Sequence, residues 1–138
     1  MKVKSFAPDG WVMRLDPGDD ILQTLQEFYA DKPGGFVWGI GSIADPKLAH
    51  YSRLTKRFTE RQLDGVYEIA ALHGNVSTCG GKTIVHLHVV LSDEQMQSYA
   101  GHLAAGKCSA TAELLLRTTP MELKKQPDPE IGLNTLDL

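Results

Sequence analysis

Three histidines, two of them on one apolar run, are the residues best placed to carry chemistry. His86 and His88 stand at alternate positions of the run Thr83–Leu91, and His102 follows after a polar turn. The run is rich in β-branched residues and has no breaker, which predicts a strand. Alternate side chains share one face of a strand, so the first two imidazoles would lie about 7 Å apart. If Tyr99–Leu103 returns antiparallel, His102 joins them.

Three neutral imidazoles with an open fourth position form a recognised tetrahedral zinc arrangement. Imidazole also binds copper, nickel and iron, so the ligand type alone does not select the metal. The sequence therefore predicts zinc or another divalent transition metal as a cofactor at His86, His88 and His102. A second interpretation stays open, because a His-x-His strand also suits a half-buried polar face or a surface that contacts a partner.

Two glutamates are the candidates for a catalytic base if the protein is a metal-dependent hydrolase that activates a bound water. In the predicted strand Val66–Val76, simple alternation puts Glu68 on the same face as Ala70 and Leu72. A partly buried carboxylate usually has a partner. Glu68 could therefore be a base, could accept a hydrogen bond from a histidine, or could pair with an arginine across an interface. Glu113 is the other candidate base.

Length and charge exclude several classes of protein. The 138 residues predict a single domain, residues 1–138, and 14 basic against 17 acidic residues give a net charge of −3. No basic block is present, which makes direct nucleic-acid binding doubtful. No apolar run approaches the roughly 18 residues of a membrane span, and no secretion signal is evident. Two cysteines without a C-x-x-C motif are typical of free thiols in the cytoplasm, where we expect this protein.

The order of the predicted elements gives the fold class. Gly10–Leu15 is a predicted strand, and Asp19 or Asp20 can cap an amphipathic helix that ends near Ala30. Short strands follow, and a tail from Pro120 onward is expected to lie over the surface. The strands after the helix are Phe36–Ile43, Lys47–Ser52, Arg57–Gln62, Val66–Val76, the histidine hairpin and Ser109–Arg117. This order predicts an α+β fold, a mainly antiparallel central sheet with one principal amphipathic helix packed on it.

Several short pieces, taken in order, resemble the PPC domain family, which plants and prokaryotes share. The pieces cover the chain from about Gly10 to Gly132, and the ordered set is more specific than any one of them. They are Arg14–Asp20, Gly39–Ser42, Gly65–Ile69 with Leu72 and Gly74–Asn75, His86–His88, Gly101–Leu103 and Thr111–Glu113.

The resemblance implies a homotrimer whose three-histidine cluster is a proposed metal site in prokaryotic members, matched here by His86, His88 and His102. In plant relatives the domain accompanies AT-hook segments that bind DNA and mediates self-association in transcriptional regulation. This chain has no Arg-Gly-Arg-Pro hook, so a DNA-binding role remains only an alternative. The resemblance implies most directly a trimer that binds a metal ion or a small ligand. His73 is a departure from the family pattern, and could add a ligand or line the pocket.

Overall fold

The computed structural model describes residues 1–138, which form nine strands and one helix. The helix α1 spans Ile21–Tyr29. The strands are β1 Lys2–Ala7, β2 Gly10–Leu15, β3 Gly35–Ser52, β4 Arg57–Gln62, β5 Val66–Cys79, β6 Lys82–Ser92, β7 Ser98–Thr118, β8 Lys125–Asp128 and β9 Leu133–Leu136.

The main sheet closes on itself. Seven strands are hydrogen bonded in the order β1-β2-β7-β6-β5-β3-β4, and β3 also pairs with β7. The closed part is therefore a four-stranded barrel of β3, β5, β6 and β7, extended by β1 and β2 on one side and by β4 on the other. All the strand pairs are antiparallel. The predicted mainly antiparallel sheet is confirmed, while its closure was not foreseen.

The helix α1 is short, and it packs against β6 and β7. Asp20 caps its N-terminus, since the carboxylate accepts a hydrogen bond from the backbone N–H of Gln23 at 2.9 Å. Ile21, Leu25 and Tyr29, spaced by four, are buried on the side that faces the sheet. The predicted amphipathic helix is confirmed, and its nine residues are too few to cross a membrane.

A single apolar core fills the space between the sheet and the helix. Side chains from α1 and from five of the strands, β2, β3, β5, β6 and β7, contribute to it, and the face of β6 opposite the histidines supplies Leu87, Val89 and Leu91. These three positions alternate with His86 and His88, so burial of the apolar face directs both imidazoles outward.

Two long strands replace shorter predicted ones. Phe36–Ile43 and Lys47–Ser52 belong to the one strand β3, and β7 continues without interruption from Ser98 to Thr118. Register shifts interrupt the pairing of β3 with β7 near Ala44 and Lys47, which explains why the sequence pattern breaks there. The strand β1 was not predicted, and the tail forms the hairpin β8–β9.

Glycines allow the closest approaches of the backbone. The pairing of β3 with β5 shifts register between Gly39 and Gly41, as at a β-bulge. At Gly74 on β5, an added Cβ would lie 1.9 Å from the carbonyl oxygen of His86 and 2.9 Å from the Cα of Leu87. Gly74 therefore lets β5 lie tightly against the strand that carries the histidines.

Gly74→Ala should destabilise the protein, because the methyl group meets backbone atoms of β6 that cannot move without separating two strands. We expect a loss of about 1–3 kcal/mol or more in the free energy of unfolding, the range for overpacked sites. Chemical denaturation measures it. Gly101→Ala is the graded control, since its Cβ would meet the Ala49 carbonyl oxygen only at 3.0 Å. Equal stability of Gly74→Ala and the wild type would contradict this account of the strand packing.

Candidate metal centre

The three predicted histidines meet on the outer face of the β6–β7 hairpin. His88 lies directly opposite His102 in the antiparallel register, and His86 lies two residues earlier on the same face. The centroid of the His86 ring lies 5.1 Å from the centroid of the His88 ring and 5.1 Å from that of the His102 ring. The centroids of His88 and His102 are 5.8 Å apart. One nitrogen from each ring falls within 4.8 Å of the other two.

The histidines open into a cavity of about 680 Å³. Two aromatic side chains form one of its walls: the ring of Phe58 lies 5.9 Å from the ring of His102 and 5.0 Å from that of Tyr51. The C-terminal hairpin also lines the cavity, through Lys125, Leu133 and Asn134. The cavity is thus part apolar and part polar.

The surroundings favour neutral imidazoles. Burial, reinforced by the positive charge of Lys125 and by the neighbouring rings, lowers the pKa of His86 to about 4. Partial loss of solvent also lowers the pKa of His88 and His102, with smaller contributions from His73 for His88 and from His88 and Lys125 for His102. A metal ion needs the deprotonated nitrogen, so His86 is in the binding form at neutral pH.

The donor set suits a metal ion of intermediate softness, such as zinc. Three nitrogen donors without a carboxylate are a common zinc ligand set, with bonds of about 2.0–2.1 Å to a tetrahedral ion. Many such sites also hold each ring by a hydrogen bond to a carboxylate or carbonyl group. Here the polar neighbour is a cation, since Lys125 Nζ lies 3.4 Å from His86 Nδ1.

The other histidines remain outside this group. His73 lies opposite His88 on β5, but it is exposed and lines a different pocket beside Trp38. His50 is exposed at the wall of the histidine cavity and offers no nitrogen to the cluster. The structure thus gathers three of the five histidines of the chain.

Both candidate bases lie away from the histidines. Glu68 and Glu113 are exposed and share another pocket, which Ser42 also lines. The predicted partial burial of Glu68 is wrong for this chain. A register shift between Ile69 and Ala71 moves Leu72 to the core side and leaves Glu68 on the exposed face. No carboxylate of the chain therefore lines the histidine cavity.

Sequence reasoning missed several residues of the cavity, among them Tyr51, Phe58 and Lys125. Tyr51 and Phe58 lie on strands that looked like solvent-facing polar segments, and Lys125 lies in the tail. Only the pairing of β3 with both β4 and β7 brings the aromatic residues to the histidines. No local pattern marks Lys125.

Comparisons with known proteins agree on the fold. The chain is 29% identical to a proposed DNA-binding protein from Ralstonia eutropha, with a TM-score of 0.88, over 96% of this chain and 93% of that one. It is 27% identical to a metal-containing protein from Archaeoglobus fulgidus, with a TM-score of 0.86, and the match covers all of both chains.

Among curated sequences, the chain is 34% identical over 125 residues to the bifunctional protein GlmU of Synechococcus sp. strain JA-2-3B'a(2-13). The match covers 87% of this chain and 18% of the length of that relative. The family model of the Plants and Prokaryotes Conserved (PCC) domain matches residues 5–120. Because that match takes in most of the sheet and all three clustered histidines, the chain belongs to the Plants and Prokaryotes Conserved domain family, the PPC family that its sequence resembles.

Proposed function

We propose that this protein binds a divalent transition metal ion, zinc in the first place, through His86, His88 and His102. The observation that carries the proposal is the cluster itself, in which three imidazole nitrogens lie within 4.8 Å of one another beside a cavity. The likeness to a metal-containing protein from Archaeoglobus fulgidus over the whole chain supports it.

A bound ion of this kind acts as a Lewis acid and lowers the pKa of a coordinated water. The residues of this chain supply the three imidazoles, and the cavity leaves room for a small ligand. They supply no carboxylate base beside the histidines, because Glu68 and Glu113 line another pocket. We therefore place binding of a metal and a small ligand ahead of hydrolysis.

Zinc titration of metal-free protein by calorimetry tests the site. We expect one ion per chain in the wild type. His88→Gln should weaken binding by more than about 100-fold, since loss of a direct ligand should exceed the roughly 10–100-fold effect of losing an outer hydrogen-bond partner. His88 is exposed, so the variant should fold.

His73→Gln is the matched control, because it removes an exposed imidazole opposite His88 that lies outside the cluster. It should bind zinc like the wild type. A wild type that binds no zinc, or a His88→Gln variant with unchanged affinity, would refute the metal proposal.

We also propose that the chain assembles as a homotrimer, the state that the family resemblance implies. An exposed apolar face supports self-association. Val12, Leu115 and Trp38 lie side by side across β2, β7 and β3, and Phe36 and Ile40 flank Trp38 along its strand. All five are between 38% and 59% exposed in the single chain. Apolar patches that span several strands are typical of protein–protein interfaces.

Ile40→Glu should disrupt the assembly, because it places a charge on this apolar face, where burial without a partner is unfavourable. Light scattering coupled to size-exclusion chromatography should give about three chains for the wild type and a smaller species for the variant. Met121→Glu is the control, since Met121 is similarly exposed but lies in the loop after β7. A wild-type monomer, or an Ile40→Glu variant that remains trimeric, would contradict the proposed interface.

DNA binding is the alternative that the Ralstonia relative brings forward. The 17 acidic and 14 basic residues of this chain, with no basic block among them, argue against it, because DNA-binding proteins neutralise phosphates with clustered lysine and arginine. We expect no mobility shift of duplex DNA with micromolar protein at physiological salt. A shift that weakens as salt rises would restore the DNA-binding hypothesis.

A further inference from the structure

The C-terminal hairpin adds a wall to the histidine cavity. The family match ends at residue 120, whereas Lys125, Leu133 and Asn134 all line the cavity. The shared domain thus supplies the imidazoles, and the segment beyond it supplies part of their surroundings. Sequence differences in this segment between family members would change which ligands the cavity binds, while the histidines stay the same.

Hydrogen bonds at both ends hold the hairpin in this position. Before β8, the Thr78 N–H donates to the carbonyl oxygen of Leu123 at 2.8 Å. Between β8 and β9, the Tyr51 hydroxyl donates to the carbonyl oxygen of Ile131 at 2.6 Å, and Lys56 Nζ donates to that of Pro129 at 2.8 Å. These hydrogen bonds fix the hairpin as part of the cavity wall.

Lys125 is the one charged side chain that lines the cavity, and no aspartate or glutamate accompanies it. Its ammonium group forms no ion pair. The Nζ atom lies 3.4 Å from His86 Nδ1, which is a long distance for a hydrogen bond. A half-buried ammonium without a counter-charge attracts an anion, and bonds between ionised groups are the strong ones. Tyr51 and Phe58, which line the same cavity, offer flat apolar surface.

We propose that the cavity binds a small anionic ligand with a flat apolar body, and that Lys125 recognises the anionic group while the wall of Tyr51 and Phe58 contacts the body. The inference rests on the proposed function, because it takes the histidine cavity as the ligand site. It adds the chemical class of the ligand and a specificity residue outside the metal-binding cluster.

Benzoate is the probe, and benzamide is its neutral counterpart of the same shape. Calorimetric titrations of zinc-loaded and metal-free protein should show benzoate binding more tightly than benzamide. Lys125→Met should lower the affinity for benzoate by about tenfold or more, as expected for the loss of one charge-assisted hydrogen bond. The same substitution should leave the affinity for benzamide unchanged, because the apolar wall of Tyr51 and Phe58 remains. Lys124→Met is the matched control, since Lys124 is exposed and pairs with Glu122 at 3.2 Å.

The outcomes separate the two proposals. Zinc that fails to bind refutes the metal site, and the metal-free titration still tests Lys125. If zinc binds but Lys125→Met binds benzoate as tightly as the wild type, the present inference is wrong while the metal site stands. Wild-type protein that does not bind benzoate at millimolar concentration also overturns it. An equal loss for benzoate and benzamide in Lys125→Met would point to a structural role for the lysine and would refute anion recognition.

Discussion

The pairing of His88 with His102 across the β6–β7 hairpin is the constraint on which the rest of the site depends. Side chains alternate along a strand, so a slip of one residue would turn His102 to the opposite face. The apolar residues that alternate with the histidines prevent this slip, because Leu87, Val89 and Leu103 would have to leave the core. The same hydrophobic burial that stabilises the barrel therefore sets the geometry of the imidazoles.

The closed sheet adds a second constraint from the other side of β7. His102 is opposite His88 on β6 and also opposite Ala49 on β3, so two neighbouring strands hold its backbone. Tyr51, two residues further along β3, and Phe58 on β4 reach the cavity through this pairing. A hairpin alone would present three histidines to solvent. The barrel makes them one side of a partly open cavity.

The features that could be predicted from the sequence are those in which one local pattern decides the outcome. The cap at Asp20, the helix Ile21–Tyr29 and the strand around His86 and His88 each follow from residue types a few positions apart. The position of Glu68 could not be obtained in this way, because a register shift between Ile69 and Ala71 depends on pairing with another strand. Closure of the sheet and the place of the C-terminal hairpin depend likewise on contacts between residues distant in the chain.

The charges of the cavity connect the two proposals. Three neutral imidazoles contribute no negative charge, and the ammonium group of Lys125 is the one formal charge among the lining residues. A divalent cation in this site would therefore face a protein charge of its own sign, and the Coulomb repulsion at short range would weaken its binding. An anionic ligand bound beside the metal ion and the Lys125 ammonium group would offset the repulsion between these two cations. By linkage, the metal would strengthen binding of the anion by the same factor by which the anion strengthens binding of the metal. Neutral imidazoles suit a metal ion and an unpaired lysine alone opposes it, but the two together would form a site in which metal and anion bind cooperatively.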